Sequence, residues 1–429
     1  MNTLGLPRAG TSAAALGARE LRVLAVCFLM VMVDGFDTMM LAFVAPLVAR
    51  QFGLNPVEIG QLFAAGFLGA VVGAMVVGPL ADRFGRRPIL LAALAAMALF
   101  TFAAAGAGSA AALMGWRFAA GLGLGAAMPT LIALTAESMP ASHRASAVTW
   151  MFLGFPIGAG VGGALTAASL SHGWPAIFVA GGLAALAMIP LAMWMLPADA
   201  GANTEAHSAA AAGGAGIARH PPRAGGPFAS LALQFGAGRA PAALLLWLGV
   251  LSIMVVTYFL VSWIPTVLSR AGLSPERAAA TGVLLNIGGV IGALALSLAM
   301  RRFGPWRPVA LAFLAGALLV WLLGRSGASS AAAVALVFGV GLAVFGGQLN
   351  IPALSVELFP PEVRGAGAGW TMGVGRLGSI VGPVIGGRLV GAELGWPTLF
   401  TIVALPTLLA AVLFMLAGWA RPRGAGRAS

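Results

Sequence analysis

Asp34 and Asp37 stand in an otherwise uncharged stretch from Val23 to Val48 that reads as a membrane-spanning helix. A charge at bilayer depth costs about 2.5–3.5 kcal/mol on insertion scales, so such residues face a cavity and mark ion or substrate pathways. The i, i+3 spacing puts both carboxylates on one helical face, about 4.5 Å apart along the axis. Two like charges that close are costly to hold ionised together, and a proton is then readily taken up and returned. That is the chemistry of a reversible proton carrier. Asp37 lies one turn nearer the expected outer surface and is the first candidate for the exchanged proton. The structural alternative is that the pair caps a broken helix or binds a neighbouring Arg.

A cation stands at matching depth. Arg376 lies about nine residues into a late apolar run, roughly 14 Å from its start. A guanidinium there can grip a carboxylate with two parallel hydrogen bonds. It could equally form an ion pair with Asp34 or Asp37, and the two states could alternate if a substrate carboxylate displaces the internal acid. Arg117 falls in the outer part of the fourth run and Glu137 at its inner end. About 30 Å of helix separates them, so they cannot pair with each other. Intramembrane amides Asn286, Gln348 and Asn350 could orient a ring hydroxyl or simply bond across helices. The aromatic candidates for sandwiching a ring are Tyr258, Phe259, Trp263, Phe345 and Trp370.

Composition says what must position these groups. Of 429 residues, 60% are hydrophobic and 8% charged, with a mean hydropathy of +0.98, far outside the range of soluble globular chains. Runs of about 20 apolar residues, long enough to cross a bilayer, can be laid down twelve times. Their centres fall near Asp34, Gly69, Met97, Gly125, Gly158, Leu186, Ile253, Gly288, Leu314, Val340, Ser379 and Leu408. No two-residue alternation marks barrel strands, so the expected architecture is an all-α integral membrane protein. All 24 basic residues are Arg. A cytoplasmic N-terminus puts most of them inside, including Arg19, Arg22, Arg83, Arg86, Arg87, Arg144, Arg301, Arg302, Arg307 and Arg364. Arg50, Arg270, Arg277, Arg325 and Arg388 fall outside, and both termini are expected in the cytoplasm. The net charge of +12 then reflects topology and anionic lipid, not nucleic acid. The run after Arg22 holds two aspartates and no small-residue cleavage site, so it is expected to be retained as the first span. Cys27 is alone, which excludes intrachain disulfides and multi-thiolate metal sites.

The chain divides into residues 1–197, a linker at 198–241 rich in Ala, Gly and Pro, and residues 242–429. His207 and His220 lie in the linker without ligand-like spacing. An internal repeat crosses it: Glu137-Ser-Met-Pro140 through Arg144 aligns with Glu357-Leu-Phe-Pro360 through Arg364, 220 residues on. Near the same offset Arg83-Phe84-Gly85 pairs with Arg302-Phe303-Gly304, and Gly173-Trp174-Pro175 with Gly395-Trp396-Pro397. Two six-helix halves in parallel repeat, with a site between them at mid-membrane, form an alternating-access carrier.

Gly78-Pro-Leu-Ala-Asp82-Arg83-Phe-Gly85-Arg86-Arg87-Pro88 falls on the turn between spans two and three. It resembles the signature loop of the major facilitator superfamily, and the repeat and twelve-span plan extend the resemblance over nearly the whole chain. The resemblance implies a gate latch centred on Asp82, formed in the outward-open state. The second-half counterpart has Arg301 and Ser297 where Asp82 and Gly78 stand, so one latch is expected. Within that superfamily, Asp34-Gly-Phe-Asp37, Arg117-Phe118 with Gly121, Gly123 and Gly125, and Gly373-Val-Gly375-Arg376-Leu-Gly378 resemble the aromatic acid:proton symporters. That similarity ties Asp34, Asp37, Arg117, Glu137 and Arg376 to transport, with Arg117 near the aspartates in the proton pathway. Glu137 and Glu357, with Arg144 and Arg364, are expected to cap or latch helix ends on the cytoplasmic side.

Gly158-x-Gly160-x-x-Gly163 and Gly373-x-Gly375-x-x-Gly378 both match the dinucleotide fingerprint. Both lie within apolar spans, follow no strand, and are expected to let helices touch. No paired acids beyond Asp34 and Asp37, no Ser/His/Asp set and no His/Cys cluster offers an enzyme site. The expected protein is a monomeric bacterial inner-membrane carrier, free of cofactors, that uses protons to import a small aromatic carboxylate. The alternatives are a non-aromatic acid, drug:proton antiport, or a non-transporting receptor.

Overall fold

The computed structural model describes residues 16–76, 80, 84–140, 143–169, 172–196, 235–236, 238–327, 331–359 and 364–422. Twelve spans emerge from them, and each expected centre falls inside one. The first six are Ala18–Phe52, Pro56–Val76, Arg86–Ala105, Ala110–Ser138, a fifth made of Arg144–Phe152 and Gly154–Ser169, and Pro175–Met195. The second six begin with Ala240–Arg270, Pro275–Phe303 and Trp306–Leu323. The tenth is assembled from Ala331–Val340, a π-helical turn Gly341–Phe345, Gly346–Leu349 and Ile351–Leu358. Arg364–Gly391 and Trp396–Ala420 complete the set. Eleven of the twelve are long and apolar enough to cross a membrane by composition alone. The eleventh span has the length, 28 residues, but its glycines and Arg376 hold its hydropathy down.

Consecutive spans run in opposite directions. One face of the bundle carries Leu196 at the end of span six and the start of span seven at Ala240, and is here called the linker face. The other carries the turns at 53–55, 106–109, 271–274 and 392–395. The sequence repeat is written into the backbone of these turns. Gly53 and Gly272, which follow the first and seventh spans, have φ of 64° and 102°. Gly85 and Gly304, which precede the third and ninth, have φ of 92° and 74°. Both pairs sit 219 residues apart, and only glycine takes that left-handed backbone without strain. Side-chain caps finish several helix starts. Asn55 and Glu58 exchange side chain-to-backbone bonds at the start of span two, the Glu58 carboxylate accepting from the Asn55 N–H at 2.8 Å.

Glycines let the spans approach to backbone contact. A Cβ on Gly158 would overlap the Met32 carbonyl, one on Gly125 the Ala70 carbonyl, and one on Gly292 the Leu342 carbonyl. The two fingerprint-like glycine sets are used in this way, with Gly378 against span seven and Gly158 against span one. Gly373 has no neighbouring atom within 4 Å of a built Cβ. Gly158→Ala should therefore destabilise the folded protein by about 1–3 kcal/mol or more, as overpacking does, while Gly373→Ala should be neutral. Thermal unfolding of the purified variants in detergent compares the two.

The halves meet on the face away from the linker. There Gly60 of span two approaches the Pro383 carbonyl of span eleven, and Gly387 approaches the Pro56 carbonyl. Deeper in, two aromatic pairs join span two to span seven in edge-on contacts. Phe63 meets Trp263 with centroids 5.7 Å apart, and Phe67 meets Tyr258 at 4.8 Å. Trp263 also donates its indole N–H to the Pro383 carbonyl at 3.0 Å, tying span seven to span eleven. Nearer the linker face, a Cβ on Gly369 or Gly373 of span eleven would meet open space. The large apolar side chains left exposed, such as Leu183, Leu294, Leu318 and Leu405, lie on the spans' outer surfaces.

Candidate functional site

Span one delivers both aspartates to the interior, Asp34 at 7% and Asp37 at 1% exposure, but gives them different partners. Arg117 of span four reaches Asp37 across 80 residues of sequence. Its Nη1 donates to Oδ1 at 3.2 Å and Oδ2 at 3.0 Å, and its Nη2 to the Asp37 backbone carbonyl at 3.1 Å. Thr101 of span three adds a hydroxyl donor to Oδ1 at 3.0 Å. Arg117 is itself buried and its guanidinium lies 5.8 Å from the Phe178 ring centroid. The Asp37 carboxylate thus has its charge matched and its oxygens occupied, as a buried ion requires. Asp34 receives one hydrogen bond, from the Thr38 hydroxyl at 3.2 Å, and makes no ion pair among the described residues.

A cavity of about 20 Å³, room for one water, lies between the two acid environments. Thr38 lines it on one side and Arg117 on the other, with Phe63, Phe67 and Gly66 around them. The Arg117 Nε–H, buried and without a partner among the described residues, belongs to the same side chain.

Arg376 approaches from the opposite half. It is partly exposed, makes no salt bridge among the described residues, and lies within electrostatic range of Asp34 and Tyr258. Arg117 takes Asp37, and among the described residues Arg376 makes no ion pair with either aspartate. Arg376 and Asp34 thus each lack a salt-bridge partner among the described residues.

The amides separate in role. Asn350 donates to the carbonyls of Ala293 and Gly346, at 3.2 and 2.9 Å, and accepts from the Ser297 hydroxyl at 3.0 Å. It fastens span ten to span eight beside the π turn, which fits the cross-helix role that the sequence leaves open for it. Asn286 is buried and donates to the Gly282 carbonyl of its own helix at 2.8 Å, which leaves its amide oxygen as a potential acceptor. Gln348 is partly buried on span ten. Tyr258 sits against Phe67 in the aromatic layer, and Trp370 stacks on Trp247, 6.0 Å between centroids, away from the aspartates.

On the linker face, Gly78, Asp82 and Arg83 lie outside the described residues, as do His207, His220 and most of the expected linker. Gly85 supplies the left-handed turn before span three. Arg86 clamps Glu137 with Nε at 2.9 Å and Nη2 at 2.6 Å, joining the start of span three to the end of span four. Arg87 donates to the Met193 carbonyl at 2.6 Å and Arg144 to the Met139 carbonyl at 3.2 Å, both covering helix C-termini. In the second half Glu357 pairs with Arg421 beyond the last span. For Arg364 the helical backbone alone is described. These contacts each stay within one half.

Thr38 and Thr101 are the residues that reading the sequence missed. Thr38 carried a signal, since i, i+4 from Asp34 is the same helical face. Thr101 carried only that of a lone hydroxyl in an apolar run.

Twelve spans in two repeats, with acids and arginines gathered at mid-depth between the halves, define a membrane transporter rather than an enzyme. The family model of the Major Facilitator Superfamily matches residues 27–379 and 348–429, and the chain belongs to that superfamily. It is similar to the gallate transporter of Pseudomonas putida, 36% identical over 95% of this chain and 94% of that one. It also resembles the 4-hydroxybenzoate transporter of Pseudomonas aeruginosa, at 33% over 99% and 100%, and the 3-(3-hydroxy-phenyl)propionate transporter of Escherichia coli K12, at 35% over 88% and 89%. Among solved structures, a bacterial homologue of the human lysosomal transporter Spinster, inward-facing and occupied, superposes with a TM-score of 0.75 at 17% identity over 96% of this chain and all of the other. The D-xylose-proton symporter gives 0.72 at 18% over 92% and 97%. At these identities the structural matches speak for the fold.

Proposed function

We propose that this protein imports a hydroxylated aromatic carboxylate across the bacterial inner membrane together with a proton, by alternating access between two six-helix halves. The observation that carries the reading is Arg376, an intramembrane cation of the second half that makes no salt bridge among the described residues and lies within electrostatic range of Asp34. The relatives add the chemistry: gallate, 4-hydroxybenzoate and hydroxyphenylpropionate each join a carboxylate to a ring hydroxyl. Arg376 holds the carboxylate, while Asn286 and Gln348 are within the half that would meet the ring.

Coupling follows from charge. While Asp34 is ionised, its field offsets that of Arg376 and the site holds no net positive charge for an incoming anion. Once Asp34 takes a proton, Arg376 is free to bind the carboxylate, so proton and anion enter as a neutral pair. We assign this role to Asp34 rather than to Asp37, because Arg117 already matches the charge of Asp37. Thr38 and a water in the adjoining cavity form a path toward the Arg117–Asp37 pair, which organises the site. Arginines weighted to the linker face support a cytoplasmic location for both termini, and on that reading closure at the opposite face corresponds to an inward-facing state. The loop with Gly78, Asp82 and Arg83 would latch the alternative state.

The test is uptake of labelled gallate, 4-hydroxybenzoate, benzoate and lactate into proteoliposomes with an acidic exterior. Hydroxylated aromatic acids should accumulate above their external concentration, and an uncoupler should abolish the excess. Preferential accumulation of lactate would instead favour a carrier of non-aromatic acids.

A further inference from the structure

A second cavity, of about 370 Å³, mostly apolar but lined by two arginines, opens at the face away from the linker. It lies between span one, the start of span two and span seven, where the two halves meet. Arg50 and Arg270 line it together with Thr266, Ser269, Ile59 and Pro46. Neither arginine forms a salt bridge among the described residues. The nearby Glu58 carboxylate is engaged by the Asn55 backbone N–H. Thr266 is 3% exposed, and its hydroxyl has no hydrogen-bond partner among the described residues. A hydroxyl so buried, in a residue that lines the cavity, lacks the hydrogen bond such a group ordinarily makes.

The internal repeat builds this chamber. Pro46, Arg50 and Gly53 at the end of span one correspond, within a residue, to Pro265, Arg270 and Gly272 at the end of span seven. The pseudo-symmetry brings two like charges to one mouth, and the two helix C-termini there favour cations without supplying a neutralising side chain. The Phe63–Trp263 and Phe67–Tyr258 layers lie one and two turns deeper along span two, between this chamber and Asp34 and Arg376. The volume falls in the range that holds a small organic ligand.

We propose that Arg50, Arg270 and Thr266 form a capture site for the substrate carboxylate, which concentrates the anion above the closed aromatic layers before the halves open. The site rests on the carboxylate-import reading and adds a station that the central site does not need for coupling. Two cations at an open mouth act by raising the local anion concentration, an effect that salt screens.

The test uses the full chain in proteoliposomes with 4-hydroxybenzoate as the probe, added at the face of the turns. Arg50→Gln/Arg270→Gln should raise the half-saturating concentration about tenfold, as loss of electrostatic focusing does. It should leave the saturating rate unchanged and flatten the dependence of uptake on sodium chloride. Arg50→Lys/Arg270→Lys should stay near wild type. Thr266→Val, nearly isosteric, should raise half-saturation about fivefold, the effect of one lost hydrogen bond. The saturating rate serves as the check on folding. An unchanged half-saturation and salt dependence in the Gln double variant, or an equal loss in the Lys variant, would overturn the capture site while leaving the import reading intact. A wild-type protein that takes up no aromatic carboxylate defeats both.

Discussion

Replacing Arg376 with alanine should abolish saturable binding of an aromatic carboxylate while leaving the protein folded. Truncating one partner of a desolvated charge pair costs about 2–5 kcal/mol, or roughly thirty- to five-thousandfold in Kd. The loss should fall almost wholly on ligand, because Arg376 makes no ion pair among the described residues whose removal would strand an internal acid. Arg376→Lys should recover part of the affinity, since an ammonium restores the charge but not the two-pronged contact. Titration with labelled 4-hydroxybenzoate, beside thermal unfolding of each variant, separates the outcomes. Unchanged affinity in the alanine variant would remove Arg376 from the site.

The two aspartates should fail in different ways when each is made Asn. Asp37→Asn leaves Arg117 buried beside a neutral amide, and breaking a buried pair in this way costs about 3–5 kcal/mol of stability. Its unfolding midpoint should drop sharply, and Arg117→Gln in the same chain should recover part of the drop. Asp34→Asn removes no ion pair and imitates the protonated acid. That variant should keep its stability, bind substrate and exchange it across the membrane, yet fail to accumulate it against a gradient. Counterflow and gradient-driven uptake, measured on the same vesicles, read the two properties separately. Accumulation by Asp34→Asn in response to external acid would show that the proton travels elsewhere.

Charges in apolar runs are the loudest signal a membrane sequence carries, which is why Asp34, Asp37 and Arg376 could be placed at mid-depth from spacing alone. The eleventh span was legible as an apolar run centred near Ser379, although it is less hydrophobic than the other spans. Partner choice was not legible. Arg117 was expected in the outer part of span four near the aspartates, but its commitment to Asp37 depends on helix tilt and the reach of a long side chain, neither of which is local. The same limit explains Asn350, because an amide in an apolar run looks alike whether it meets a ligand or the backbone of a neighbouring helix. The π turn at Gly341–Phe345 had no visible precursor. It arises where span ten lies backbone to backbone on span eight, at Gly288 and Gly292, a fit between elements far apart in the chain.

The contact that closes the bundle away from the linker is made of main chain: Gly60 on the Pro383 carbonyl, Gly387 on that of Pro56. Such a seam offers nothing to vary, since any added side chain would hold the halves apart. The surroundings of Arg376 are different, with Gly369 and Gly373 opening onto free space. Point substitutions can therefore accumulate beside Arg376 at little steric cost while the closing surface stays silent. Room for change and preservation of the closing contact are assigned to different residues.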